Sequence, residues 1–230
     1  MTSVRRTALV AGVFYLITFL AGIPSVFLLD PVLSNPDYII SAGPDTQVLF
    51  GNLLDVVNAL ACIGTAVALY SIVKRQHEGF ALGFVTTRII EAAVILIGTV
   101  SLLAVVTLRQ DGAGGGDAET LVVIGQALVA VRNWTFLLGP SLMPAFNALL
   151  LGYLLYRSGL VPRLIPATGL IGAPLVATFA VGLLLGVTER GSVWEAIAVA
   201  PIFFWELSLG LWMTFKGFKP DAPILAAGGQ

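Results

Sequence analysis

The chain alternates long apolar runs with short polar breaks. Six runs, at about residues 7–29, 48–73, 83–108, 132–156, 164–187 and 195–215, are each long enough to cross a bilayer. In hydrocarbon every backbone N–H and C=O must be satisfied inside its own segment, so runs of about 20 apolar residues predict spanning helices. Residues 118–131 are also apolar, and either lengthen the fourth span outward or form a separate interfacial turn of helix. One helix over 119–156 would be about 57 Å long at roughly 1.5 Å per residue, against a hydrocarbon core of about 30 Å, so part of it must project or break. Gly139-Pro140 and Pro144 mark the expected bend, because a proline removes a backbone donor and crowds the preceding turn.

Composition agrees with this pattern. Of 230 residues, 57% are hydrophobic and 11% charged, with a mean hydropathy of +0.95. Soluble domains carry about 25% charged residues. The fold class is therefore an all-α membrane protein, a six-transmembrane helical bundle forming a single domain over residues 1–230. Its primary partner is the lipid bilayer. A net charge of −1 offers no basic stripe for nucleic acid. One cysteine, Cys62, and one histidine, His77, exclude an intrachain disulfide and a metal site rich in either residue, and no cofactor is expected. Arg5 and Arg6 precede a first run longer than the roughly 7–15-residue core of a cleavable signal, so a retained first helix is expected.

Charge placement orients the bundle. Arg5, Arg6, Lys74, Arg75, Arg157, Arg163, Lys216 and Lys219 fall on one side if there are six spans. Asp30, Asp37, Asp45, Asp111, Asp117, Glu119 and Glu189 fall on the other, with Arg109 and Arg190. The positive-inside rule then puts both termini in the cytoplasm. Trp134, Trp194 and Trp212 lie near the expected interfaces. Gly169, Gly172, Ala173, Ala177 and Ala180 give the fifth span a small-residue face, and Gly182 and Gly186 repeat it at GxxxG spacing. Bundle packing is favoured over dimerisation, and the pattern leaves the oligomeric state open. The stretch 111–119, "DGAGGGDAE", lacks the Gly-Lys-Ser/Thr ending of a phosphate loop and reads as an external linker.

The exceptions to apolarity carry the candidate chemistry. Arg88 and Glu91 lie within the third span, three residues apart, on one helical face where they can pair. A charge at the bilayer centre costs about 2.5–3.5 kcal/mol on insertion scales, so each needs a partner or water. Arg88 starts about 8 Å inside its span and could snorkel; Glu91 lies deeper. Glu206 lies about 15 Å from the end marked by Lys216, near the midplane, five residues after Pro201. Arg88, Glu91 and Glu206 can thus form one inner-half cluster. In the second span Asn52, Asp55, Ala59, Cys62 and Ala66 share a small, polar face. Asp55 is expected to pair with Arg132 in the outer half, with Asn52 as a bonding neighbour. Asn58 and Asn147 read as helix–helix hydrogen bonds.

"RRTALVAGVFYLIT" (5–18), "TTRIIEA" (86–92), "GYLLYRSGLVPRLIPATGLIG" (152–172) and "PIFFWELSLGLWMTFKGF" (201–218) together resemble a bacterial integral-membrane family called domain of unknown function 4386. The resemblance covers nearly the whole chain. It implies a six-helix protein in a bacterial cytoplasmic membrane and carries no activity with it. Arg88, Glu91 and Glu206 fall within its motifs; Asp55 and Arg132 rest on physical reasoning alone.

Three functional classes follow. The leading one binds or transports a small molecule or ion through Arg88, Glu91, Glu206, Asn52, Asp55 and Arg132, with carboxylates taking protons or cations and arginines holding anionic groups. The second is an accessory membrane protein whose buried charges only set helix register. The third is an intramembrane enzyme using carboxylates; with no histidine in a span and no evident base for Cys62, an enzyme is the less favoured reading. A water-accessible pocket reaching Glu206 or Asp55 would favour the first class over the second.

Overall fold

The computed structural model describes residues 3–112 and 117–226. Among the described residues six helical segments are long and apolar enough to cross a membrane. In chain order they are α1 (Ser3–Ser34), α2 (Asp45–Val73), α3 (Glu78–Gly112), a segment of α4 (Ala118–Phe136) and α5 (Met143–Ser158), α6 (Leu164–Leu184) and α7 (Val193–Phe215). A short 3-10 turn covers Tyr38–Ile40, and α8 (Pro223–Ala226) follows the last span. No strand occurs among the described residues.

The fourth span resolves the alternatives left by the sequence. Residues 118–131 belong to a helix that runs on into the span, so they lengthen it at the end away from the termini. The break is a π-helical segment at Leu137–Ser141 containing Pro140, after which α5 begins with Pro144 in its first turn. The wider π turn accommodates a proline that cannot donate to the ladder.

Helix lengths divide the bundle in two. At 1.5 Å per residue α6 and α7 measure about 31 and 34 Å, close to the hydrocarbon thickness, whereas α1, α2 and α3 measure about 48, 43 and 52 Å. The long helices project at the end opposite the termini. There Leu29, Val32, Tyr38, Ile39, Val48, Leu102, Val105 and Val106 form a second core, with Leu121, Val122 and Leu128 packed against it. The larger core lies at the terminal end and includes Tyr15, Phe84, Trp205 and Met213.

Both termini lie at one end. Arg5 donates from Nη1 to the Met213 carbonyl at 3.0 Å and from Nη2 to the Thr214 carbonyl at 2.7 Å. These are among the last carbonyls of α7, which have no partner within the helix and carry its negative dipole end. The Lys219 N–H donates to the Leu160 carbonyl at 2.8 Å, tying the C-terminal segment to the α5–α6 turn. Gly159 caps α5 at φ 66° and Gly217 follows α7 at φ 80°. The "YRSGLVPR" and "KGF" motifs are thus helix-ending turns.

The small-residue face of α6 packs within the bundle. A Cβ on Gly169 would meet the Trp205 ring at 2.5 Å, and one on Gly172 would meet Pro201 at 2.9 Å. The GxxxG reading of Gly182 and Gly186 does not hold. The helix ends at Leu184, and Gly186 adopts φ 70° in the following turn, where the Val187 N–H returns to the Gly182 carbonyl at 2.8 Å. That spacing marks a helix terminus, not a helix interface. In the glycine-rich stretch 111–119, Asp111 and Gly112 are helical and Asp117 caps α4; residues 113–116 lie outside the described residues.

Candidate functional site

Arg88 is the centre of a three-charge cluster. It sits in α3, is 2% exposed, and does not snorkel. Instead its guanidinium joins two carboxylates: Nη1 to Glu91 Oε2 at 3.0 Å and Nη2 to Glu206 Oε1 at 2.9 Å. The first contact stays within α3; the second crosses to α7. The Tyr15 ring of α1 lies 5.1 Å from Arg88 Cζ and the Phe84 ring 5.9 Å, so a desolvated cation is also held by aromatic faces. Arg88 Nη1 further donates to Cys62 Sγ of α2 at 3.6 Å.

Glu91 is held from a third side. Asn147 Nδ2 of α5 donates to Glu91 Oε2 at 2.7 Å, and Thr87 Oγ1 donates to Asn147 Oδ1 at 2.6 Å. Asn147 is therefore a helix–helix hydrogen bond, as its type suggested, but one whose acceptor is the cluster. Among the described residues no protein donor reaches Glu91 Oε1 or Glu206 Oε2. Arg88 Nε and the Tyr15 hydroxyl are buried without partners.

The cluster opens onto a cleft of about 170 Å³. Arg88, Glu91 and Glu206 are the charged groups that line it, together with the polar Thr18, Asn58 and Cys62. The Glu206 side chain is 15% exposed, more than Arg88 or Glu91. The sequence placed this site among the second, third, fourth and sixth spans. The first span also lines it, through Thr18, Phe19 and Gly22. Gly22 allows a close approach there, since a Cβ would stand 3.3 Å from Asn58 Nδ2 and the Asn58 side chain would have to give slightly.

A second arginine centre lies farther from the termini. Arg132 Nη2 of α4 meets Asp55 Oδ2 of α2 at 2.9 Å, with both side chains 5% exposed. Ser25 of α1 donates a short hydrogen bond to Asp55 Oδ1. Asn52 is not a bonding neighbour of this pair: its Nδ2 turns back to the Val48 carbonyl of its own helix at 2.9 Å and its Oδ1 has no partner. A side chain one turn from a carboxylate can satisfy itself locally, and here Ser25 takes the place expected for Asn52. The α2 face is otherwise as patterned, with Asn52, Asp55, Ala59, Cys62 and Ala66 all buried.

The six candidate residues thus divide into two sites. Arg88, Glu91 and Glu206 meet at one, Asp55 and Arg132 at the other, and Asn52 bonds to neither. The sequence reading missed Tyr15, Ser25 and Thr87, and did not place Arg190 near Arg132. Tyr15 and Thr87 lie inside the quoted motifs. Ser25 follows Pro24, a small polar residue in an apolar run, with nothing in its own helix to name Asp55 as its partner.

Comparison with curated proteins returned no match, and comparison with solved structures returned none either. A family model described as Domain of unknown function (DUF4386) matches residues 10–217, a stretch that contains the α1 to α7 elements of both centres. This multi-pass helical chain belongs to that family.

Proposed function

We propose that the protein binds a proton or a small cationic solute at the Arg88–Glu91–Glu206 cleft, within the bilayer. The single observation that carries this reading is the cleft of about 170 Å³ reaching two carboxylates and one arginine. An engineered cavity of roughly 150 Å³ admits benzene, so the space suits a few waters or a small organic ion. With all three groups ionised the cluster carries a formal charge of −1. Arg88 neutralises one carboxylate, and Glu91 is further held by Asn147. Glu206 keeps a free oxygen and the greater exposure, so it is the residue to take the proton or cation. Charged residues within spans face the bundle interior or a cavity, pair with one another and mark ion and proton pathways. Reading the basic, terminal end as cytoplasmic puts the cleft in the inner half of a bacterial plasma membrane.

The test is ligand-dependent stability. A ligand that binds only the folded state raises the unfolding midpoint with concentration. Methylammonium and ethylammonium are expected to stabilise the purified protein at neutral pH, and the shift should vanish in Glu206→Gln. If no small cation shifts the wild type, and its stability is also flat from pH 5 to pH 9, the site is a structural charge cluster and the accessory reading takes over.

A further inference from the structure

We infer that the Arg132 centre is a second ligand site, one that takes an anionic amphiphile: an oxyanion headgroup carried on a hydrocarbon chain. Arg132 and Arg190 both line a cleft of about 110 Å³. Their Cζ atoms stand 5.1 and 5.0 Å from the same Phe136 ring. Asp55 is the carboxylate that answers Arg132. Arg190 donates to the Asn133 carbonyl at 3.3 Å, and among the described residues no carboxylate lies within ion-pair distance of it. Two guanidiniums line the cleft and Asp55 pairs with one of them, a formal charge of +1 for these three groups, with Glu195 acting on Arg190 from beyond ion-pair distance. Arg132 is 4% exposed, yet its Nε–H is buried without an acceptor. A guanidinium fork matches a carboxylate or phosphate oxyanion.

The hydrocarbon chain is inferred from the adjoining space. Leu33 and Asn133, which line the arginine cleft, also line a larger cavity of about 300 Å³. Its walls are mainly apolar, with Val32, Ile39, Val105 and Val129 among them. Ligand sites of roughly 300–1,000 Å³ that are mostly apolar with a few convergent polar groups are the common form. The level is also right. Asp55 lies about 27 Å along α2 from its terminal-side end, near the edge of a roughly 30 Å hydrocarbon layer. Trp134 and Trp194 are exposed nearby, as interfacial tryptophans are. The headgroup would sit at the boundary and the chain between α1, α3 and α4. This site is independent of the Arg88 cleft.

The experiment is equilibrium binding of labelled dodecyl phosphate to the full protein in a neutral maltoside micelle. Saturable binding is expected, at least tenfold tighter than that of inorganic phosphate or dodecanol. Arg190→Gln should weaken it at least tenfold with little change in the unfolding midpoint, since Arg190 is an exposed residue with no ion pair and its one hydrogen bond goes to the Asn133 carbonyl. Displacement by phosphatidylglycerol but not phosphatidylcholine would place the source of the ligand in the bilayer; failure of both to displace would place it among diffusible single-chain amphiphiles. Either result keeps the site. Equal binding of dodecanol, equal binding of inorganic phosphate, or an Arg190→Gln affinity equal to wild type would overturn the proposal.

Discussion

At the Arg88 centre one guanidinium faces two carboxylates; at the Arg132 centre two guanidiniums stand around one carboxylate. The first is enclosed by five of the six spans and roofed by aromatic rings. The second lies toward the end where the long helices outgrow the short ones. Burial magnifies charge, so each centre is stable only while its pairing is complete, and the surplus charge on each is exposed to a cleft. The surplus is negative at one level and positive at the other. Neutralising the majority sign should therefore be mild at both centres, and removing the minority sign should be severe at both.

The largest expected effect is Arg88→Met. It strands Glu91 and Glu206 without their shared cation, and removal of one member of a buried pair costs about 3–5 kcal/mol. Reversible unfolding in detergent would measure it. Glu206→Gln should lose much less, because Arg88 still holds Glu91. Equal losses in the two variants would break the comparison. Arg88→Lys should restore little, since a point-charge ammonium cannot reach two carboxylates as a planar fork does.

Asp55→Asn is the corresponding test at the other centre. It leaves Arg132 beside Arg190 with no counter-charge, at a level where an arginine stem can still reach the polar boundary. A loss of about 2 kcal/mol is expected. The double variant Asp55→Asn with Arg190→Gln should recover part of that loss, and a purely additive pair would show that the two arginines do not interact.

A substitution away from both centres calibrates these values. Gly169→Val drives a side chain into the Trp205 ring, which stands 2.5 Å from where a Cβ would be. Overpacking of this kind costs about 1–3 kcal/mol. A loss as large as that of Arg88→Met would mean that the charge cluster contributes nothing beyond ordinary packing.

The smallest effect belongs to the α4 cap. Asp117 accepts from the Thr120 N–H at 3.3 Å and the Thr120 hydroxyl at 2.7 Å. The Thr120 hydroxyl, then the backbone amides, hold its carboxyl below the usual range. A depressed folded value means that the cap's contribution is complete above the unfolded value of about 3.9 and fades as pH falls through the lower folded value. Protection of the first-turn amides of α4 against hydrogen exchange, taken relative to the intrinsic rate at each pH, should fall over that acid window in wild type and be low throughout in Asp117→Ala.

The six spans were legible because hydrocarbon forces both length and apolarity on them. Their ends were less so. α3 begins at Glu78 and runs to Gly112, since hydropathy reports lipid contact whereas helical hydrogen bonding continues into polar sequence. Arg88 and Glu91 were legible as a pair from helical spacing, and Glu206 from its depth. What joins them to Asn147, Tyr15 and Cys62 is helix adjacency, which no single-helix period contains. The same gap explains Asn52 and Ser25. Asn52 shares a face with Asp55 but bonds along its own helix, whereas Ser25 comes from α1. Gly186 was misplaced for a different reason: residue spacing does not distinguish a packing glycine from one needed for a positive φ.

The most direct test of the central claim is the protonation of Glu206, read by infrared difference titration of purified wild type against Glu206→Gln. A carboxylic-acid band that responds to pH in the wild type and is missing from the variant, with the fold retained, is the expected result. A wild type with no such band, paired with a variant that loses stability as severely as Arg88→Met, would contradict it and leave Glu206 a permanently paired structural charge.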